Sequence, residues 1–264
     1  MANSLGTALV TGASSGIGAI YAHRLAKRGF DLILVARNGE RLSAIADRLS
    51  TETGRKVETI TADLSVAKDL HRIEQVLKTN ETITLLVNNA GFGGTAPLLD
   101  TEVDKMQQMI ELNVTALMRL TYAVVPGFVK RGGGSIINIA SIVAIAPELL
   151  NGVYGGTKAF VLAFSQSLNH ELAEKNIRVQ AVLPGATATE FWAVAGTSVE
   201  HLPSAIVMSA EEMVDASLVG FDQGELVTIP ALEDAELQKA YEAARQALLP
   251  HLSRSSAAQR YKAN

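Results

Sequence analysis

Short apolar runs alternate with segments of helical period along most of the chain, and that alternation leaves few folds open. Parallel strands need a crossover of a dozen or more residues, usually a helix, and strands buried on both faces read as near-continuous apolar runs. Residues 7–11, 31–36, 57–62, 83–88, 135–140, 177–183 and 225–229 read as such strands. A helix is expected from the turn after Thr11 to Gly29, a C-terminal cap. The next begins near Asn38 and aligns Leu42, Ile45 and Leu49, and a third aligns Leu70, Ile73 and Leu77. Two helices follow at about 101–112 and 114–131, the second broken by Gly132-Gly133-Gly134; others are expected at 153–175, near 211–221 and at about 233–249. This order predicts an α/β fold with a doubly wound parallel sheet and helices on both faces.

Bulk properties narrow the function. A 48% hydrophobic content suits a doubly covered sheet, and no repeat, linker or composition shift divides the chain. One domain over 1–264 is expected, with an aperiodic segment inside 187–222 and a helix and tail over 233–264. The net charge of −4 gives no electrostatic reason to expect a nucleic-acid partner. The absence of cysteine excludes disulfides and thiol nucleophiles, and the five histidines show no metal-ligand spacing, so no metal is expected. No apolar run reaches the ~18 residues of a membrane span, and Met1 to Gly6 lack the basic start of a signal peptide. A cytoplasmic location is therefore expected.

Thr11-Gly12-Ala13-Ser14-Ser15-Gly16-Ile17-Gly18 lies between the first strand and first helix. Glycines there permit a tight turn and let backbone N–H groups approach a pyrophosphate at a helix N-terminus. The spacing is G-x-x-x-G-x-G rather than G-x-G-x-x-G, and alone it is weak evidence. Tyr154 and Lys158, four apart near the start of a helix, share a face. A tyrosine whose pKa of ~10 is lowered by a neighbouring ammonium can donate and accept protons near neutral pH.

Taken in order, Thr11-Gly-x-x-x-Gly-x-Gly18, Asn88-Asn89-Ala90-Gly91, Ser141 and Tyr154-x-x-x-Lys158 resemble the short-chain dehydrogenases/reductases, strongly over about residues 5–190. The resemblance implies a Rossmann-type single domain and an oxidoreductase that interconverts a carbonyl compound and an alcohol. It implies Tyr154 as the acid/base, Ser141 as the group that bonds the carbonyl oxygen, and Lys158 as a partner of Tyr154 and the cofactor ribose. Asn113 is implied to position a water in the proton relay.

On the cofactor side, the resemblance implies roles for Gly12, Ser14, Ser15, Gly16, Ile17 and Gly18 in the phosphate turn. It further implies Asp63 and Leu64 near the adenine, Asn89, Ala90 and Gly91 along the ribose, and Pro184, Gly185, Thr187 and Thr189 at the nicotinamide carboxamide. From the residues alone, Asp63 serves equally as a helix cap, Ser141 as a loop cap, and Asn88 to Gly91 as a plain turn. An NAD-preferring protein needs an acid at the end of the second strand for the ribose 2′-OH. Here Ala36-Arg37 stands instead, and a guanidinium pairs with a 2′-phosphate. NADP(H) is therefore expected over NAD(H).

Phe92, Val143, Leu149, Phe191, Trp192 and Met208 are candidates for a hydrophobic substrate pocket, or else core residues under a long loop. The small-molecule substrate is left unnamed. The resemblance implies a homodimer through the helices around 101–131, with a homotetramer as alternative; the extra tail helix, with Leu237, Tyr241, Ala244 and Leu248 aligned, departs from the usual C-terminus. A non-catalytic NADP(H) sensor or scaffold is the competing class, and a β-ketoacyl reductase the competing enzyme.

Overall fold

A computed structural model describes residues 5–262. Residues 1–4, read above as part of a start without a signal segment, and residues 263–264 lie outside the described residues. The strands are β1 (Thr7–Thr11), β2 (Asp31–Ala36), β3 (Val57–Thr61), β4 (Ile83–Asn88), β5 (Gly134–Ile139), β6 (Ile177–Val182), β7 (Thr187–Ala188), β8 (Met208–Ser209) and β9 (Val227–Thr228). The helices are α1 (Gly16–Lys27), α2 (Gly39–Thr53), α3 (Ala67–Thr79), α4 (Val103–Ile110), α5 (Leu117–Arg131), α6 (Gly152–Glu171), α7 (Phe191–Ala195), α8 (Ala210–Gln223) and α9 (Ala235–Leu248). Seven strands form one sheet in the order β3-β2-β1-β4-β5-β6-β9, every pair parallel, while β7 and β8 pair separately. This is the Rossmann-type doubly wound sheet.

The apolar runs are continuous because the sheet has a core on each face. In β1, Ala8 and Val10 face one core and Leu9 the other; in β2, Leu32 and Leu34 face the first and Ile33 and Val35 the second. The first face is covered by α1, α2 and α8 through residues such as Leu25, Leu42 and Val214. The second is covered by α3, α5 and α6 through residues such as Ile73, Val124 and Leu168.

The expected break between helices near 113 is absent. Glu111–Ala116 form a π-helical stretch that joins α4 to α5 without interruption. An extra residue per turn re-aims one side chain without ending the helix, and Asn113 lies buried in this stretch. The joined stretch, Val103–Arg131, is long and apolar enough on length and composition to cross a membrane, yet Leu120, Val124 and Phe128 are packed into the core beneath the sheet. Pro126 inside α5 costs about 3 kcal/mol, whereas burying each of those three side chains contributes roughly 1.5–3 kcal/mol. Packing wins, and the helix continues to a left-handed Gly132.

The last strand shortens to Val227–Thr228, with only Ala181 and Val182 as partners in β6. The chain divides into a compact unit up to Pro230 and a smaller one over Ala231–Asn264. The smaller unit is α9, capped by the Asp234 side chain and followed by short 3-10 turns; α9 carries no buried residue.

Candidate active site

The strand order reverses between β1 and β4, and the loops that leave their C-terminal ends form the crevice where doubly wound sheets bind ligands. These two loops are tied directly. Thr11 Oγ1 accepts from the backbone N–H groups of Asn89 and Ala90, both at 3.0 Å, and Asn89 Nδ2 donates to Thr11 O at 2.9 Å. Gly12 is left-handed at φ 67°, and a Cβ on Gly18 would overlap the Gly12 carbonyl and the Asn89 amide. Glycine is needed at both positions so that α1 can start this close to β4. Ser15 is the N-cap of α1 and its side chain caps no amide there, which leaves the helix start open to an anion. Ser14, Gly16 and Ile17 are half-buried along the same turn.

At the end of β2, Arg37 is exposed, and among the described residues its guanidinium has no hydrogen-bond or ion-pair partner. The Asp63 carboxylate accepts from Ser65 N at 3.0 Å and Ser65 Oγ at 2.6 Å, so one of its oxygens shapes the turn after β3. Leu64 is buried in the core beneath. Gly91 lies against Asn113 Oδ1, within 2.9 Å of where a Cβ would stand.

The second half of the site is set by a helix start. Asn151 caps α6 by accepting from Val153 N at 2.9 Å and Tyr154 N at 3.3 Å, and its amide donates to Ala96 O at 2.8 Å. That cap fixes where α6 begins and so the height of Tyr154 and Lys158 above the sheet. Both are buried. The Ser141 hydroxyl lies within hydrogen-bonding reach of the Tyr154 phenol, while burial pushes that phenol up to about 12. Ser141 is held by backbone groups of two segments: Oγ donates to Pro184 O, 43 residues away, and accepts from Val143 N, both at 3.4 Å.

Lys158 Nζ donates to Ile139 O at 2.8 Å and stands 5.8 Å from the Tyr154 ring centre. Burial lowers its ammonium to about 8. Desolvation therefore dominates for both groups, and Tyr154 is not lowered toward neutrality by the chain's own charges. Asn113 is held by both ends: Oδ1 accepts from Phe92 N at 3.0 Å, and Nδ2 donates to Phe92 O at 2.8 Å and to Thr157 Oγ1 at 3.2 Å. Those bonds give the π-helical stretch its local reason.

Three of the six pocket candidates gather around the phenol. Phe92 and Val143 pack with Tyr154 in one apolar cluster, and the Phe191 ring lies 5.7 Å from the Tyr154 ring and against Gly93. Trp192 is one step removed, edge-on to Phe191 at 5.4 Å, with Nε1 donating to Thr187 O at 2.9 Å. Leu149 is 56% exposed on a 3-10 turn, and Met208, paired with Thr187, packs into the core on the α8 side. The structure does not bring these last two to the phenol. Thr187 Oγ1 donates to Gly185 O at 3.2 Å, and Thr189 Oγ1 accepts from Phe191 N at 3.3 Å, so this segment is shaped by its own side chains. An open hollow of about 500 Å³ borders α7, lined by Thr189, Trp192 and Thr197 among others, and is separate from the Ser141–Tyr154 pair.

Sequence reasoning passed over several positioning groups. Thr11 ties two loops, Asn151 caps α6, Thr157 supports Asn113, and the Ile139 carbonyl holds Lys158. An Asn three residues before Tyr154 was a readable N-cap signal; the carbonyl left no signal at all.

Residues 6–199 match the model of the short chain dehydrogenase family. A short-chain dehydrogenase from Sphingobium yanoikuyae, solved in complex with NADPH, is 50% identical, with 98% of this chain and 100% of that one covered at a TM-score of 0.95. The bulky-bulky ketone specific alcohol dehydrogenase from Comamonas testosteroni is 46% identical over 98% of this chain and 99% of its own, at a TM-score of 0.90. A serine 3-dehydrogenase of Agrobacterium fabrum is 37% identical over 187 residues, 70% of this chain and 74% of its own. With that sheet order, that crevice and these matches, the chain belongs to the short-chain dehydrogenase/reductase family and is an oxidoreductase.

Proposed function

We propose that the chain interconverts a ketone or aldehyde and its alcohol with NADP(H), Tyr154 acting as proton donor and acceptor. The observation that carries this reading is the meeting of a buried phenol, a serine hydroxyl within its reach and a buried lysine at one end of the crevice. The chain's residues suit a phosphorylated dinucleotide. The glycine turn holds no side chain at Gly12, Gly16 or Gly18, the start of α1 has no side-chain cap of its own, and Arg37 has no partner of its own among the described residues. No acid stands beside Arg37 to accept a bond from a free ribose 2′-OH. When bound, the nicotinamide supplies or accepts the hydride.

In reduction, the Ser141 hydroxyl turns from Pro184 O to donate its one hydrogen bond to the carbonyl oxygen, and Tyr154 gives its proton to the oxygen as charge develops there. A phenol pushed up to about 12 holds that proton at neutral pH, which is the state reduction needs. In oxidation Tyr154 takes the proton, and the Lys158 ammonium close to its ring favours the phenolate so formed. Lys158 would also hold ribose hydroxyls, and Asn113 a relay water. The apolar wall of Phe92, Val143 and Phe191 suits a hydrophobic ketone, and the Comamonas protein is named as specific for bulky-bulky ketones; a β-ketoacyl compound is the alternative. Residues 187–222 would cover the substrate. The assembly we favour is a cytoplasmic homodimer through α4 and α5, where Tyr122 and Val129 are exposed apolar surface, with a homotetramer as alternative.

The test follows consumption of NADPH, with NADH in parallel, across aldehydes, ketones and β-ketoesters. Turnover with NADPH and a hydrophobic ketone is the expected outcome. Saturable NADPH binding without turnover in either direction on the whole panel would favour the sensor class instead.

A further inference from the structure

The covering segment is fastened at a point that the proposed chemistry does not use. Glu190, between Thr189 and Phe191, accepts a hydrogen bond from Arg41 Nη1 at 2.8 Å, and Arg41 belongs to the first turn of α2. The Ser15 hydroxyl of the glycine turn lies within hydrogen-bonding reach of the same carboxylate, and the Arg41 guanidinium holds that carboxyl below the usual range. Beside it, the Thr189 side chain stands 3.3 Å from where a Gly16 Cβ would be. Three elements therefore meet at the lip of the glycine turn: the turn itself, the start of α2 and the start of the covering segment. The pair is 51% and 60% exposed, so solutes reach it. An anion at this lip stands where the start of α1, Arg41 and Arg37 would otherwise draw a phosphate.

We propose that the Glu190–Arg41 pair, seated on Ser15, is a cofactor-operated clasp that Glu190 closes in the free protein and a dinucleotide phosphate opens. Closed, it holds the start of the covering segment across the glycine turn. Phosphate oxygens displace the Glu190 carboxylate by like-charge repulsion and take over the Arg41 guanidinium, which matches phosphate geometry as well as it matches a carboxylate. Arg41 then joins Arg37 as a residue that discriminates for the 2′-phosphate, and Glu190 is its internal competitor. An exposed pair of this kind shifts an equilibrium by roughly two- to fivefold, weak enough to yield to a cofactor and large enough to measure. The inference rests on the NADP(H) reading given above.

The experiment compares wild type, Glu190→Gln and Arg41→Gln by hydrogen–deuterium exchange of peptides over 186–200 in the free protein, and by NADPH and NADH dissociation constants. Trp192, the one tryptophan of the chain, lies in the covering segment and provides the fluorescence signal. Both variants should raise exchange over 186–200 without cofactor, by roughly two- to fivefold. Their effects on binding should then diverge: Glu190→Gln tightens NADPH by a similar factor, while Arg41→Gln weakens NADPH relative to NADH. Unchanged exchange in both variants, or a Glu190→Gln that weakens NADPH as Arg41→Gln does, would overturn the clasp while leaving a wild type that binds NADPH. A wild type that does not bind NADPH at all would overturn the cofactor reading and the phosphate-driven opening with it.

Discussion

Replacing Lys158 by methionine should change how stability depends on pH, and this tests the site without any substrate. Lys158 is buried, and burial lowers its ammonium from 10.5 to about 8. Between about pH 8 and 10.5 the unfolded chain keeps this proton and the folded chain has released it. The unfolded state then binds more protons, so through this group stability rises with pH across that window. Each pH unit inside it is worth about 1.4 kcal/mol. From pH 7 to pH 10 the gain, allowing for partial titration at both ends, is about 2.5 kcal/mol. Lys158→Met lacks the group and lacks the gain. Tyr154, pushed up to about 12, titrates above this range. Urea unfolding of both proteins at pH 7, 8, 9 and 10 should show wild type gaining on the variant by about 2.5 kcal/mol. A difference that stays constant from pH 7 to 10 would refute the claim that Lys158 is held against its desolvation.

The remaining expectations are more local. Gly18→Ala should destabilise the protein by about 1–3 kcal/mol, because the added methyl meets the Gly12 carbonyl and the Asn89 amide rather than the end of a flexible side chain; an unchanged urea midpoint would show that the turn yields. Arg37→Asp should lower the NADPH-to-NADH preference by about 10- to 100-fold, the worth of a charge-assisted bond; an unchanged ratio would remove Arg37 from the cofactor. Phe191→Ala should alter relative rates across ketones of different bulk, since its ring lies against the phenol. Trp192→Phe, which loses the bond to Thr187 O, should lower stability by about 1 kcal/mol and leave the ketone profile in place; the reverse pattern would exchange the roles of the two rings.

The sheet was legible because its strands are apolar on both faces and its crossovers are amphipathic. Ala8, Leu9 and Val10 all had to be apolar, since two cores share one strand. The break expected near 113 was misread because asparagine is a poor helix former, and nothing local tells that its amide bonds the Phe92 backbone 21 residues away. The last strand looked longer than Val227–Thr228 because apolar composition continues past the two residues with partners in β6. Around the site, Ser141, Tyr154 and Lys158 were readable as residue types at a spacing. The groups that hold them were not, because a carbonyl such as Ile139 O has no side chain to read. The Arg41–Glu190 pair joins positions 149 residues apart through charge alone, a pairing invisible until the chain is folded.

The central claim is that the Tyr154 phenol moves the proton in hydride transfer at this crevice. Tyr154→Phe keeps the ring that packs with Phe191 and Val143 and removes only the oxygen. Measured with NADPH and the best ketone of the panel, the variant should bind NADPH with the wild-type constant and lose turnover by about 10²- to 10⁴-fold, the usual worth of a positioned acid. Turnover within a few-fold of wild type, at unchanged NADPH affinity, would contradict the account and move the proton donor elsewhere.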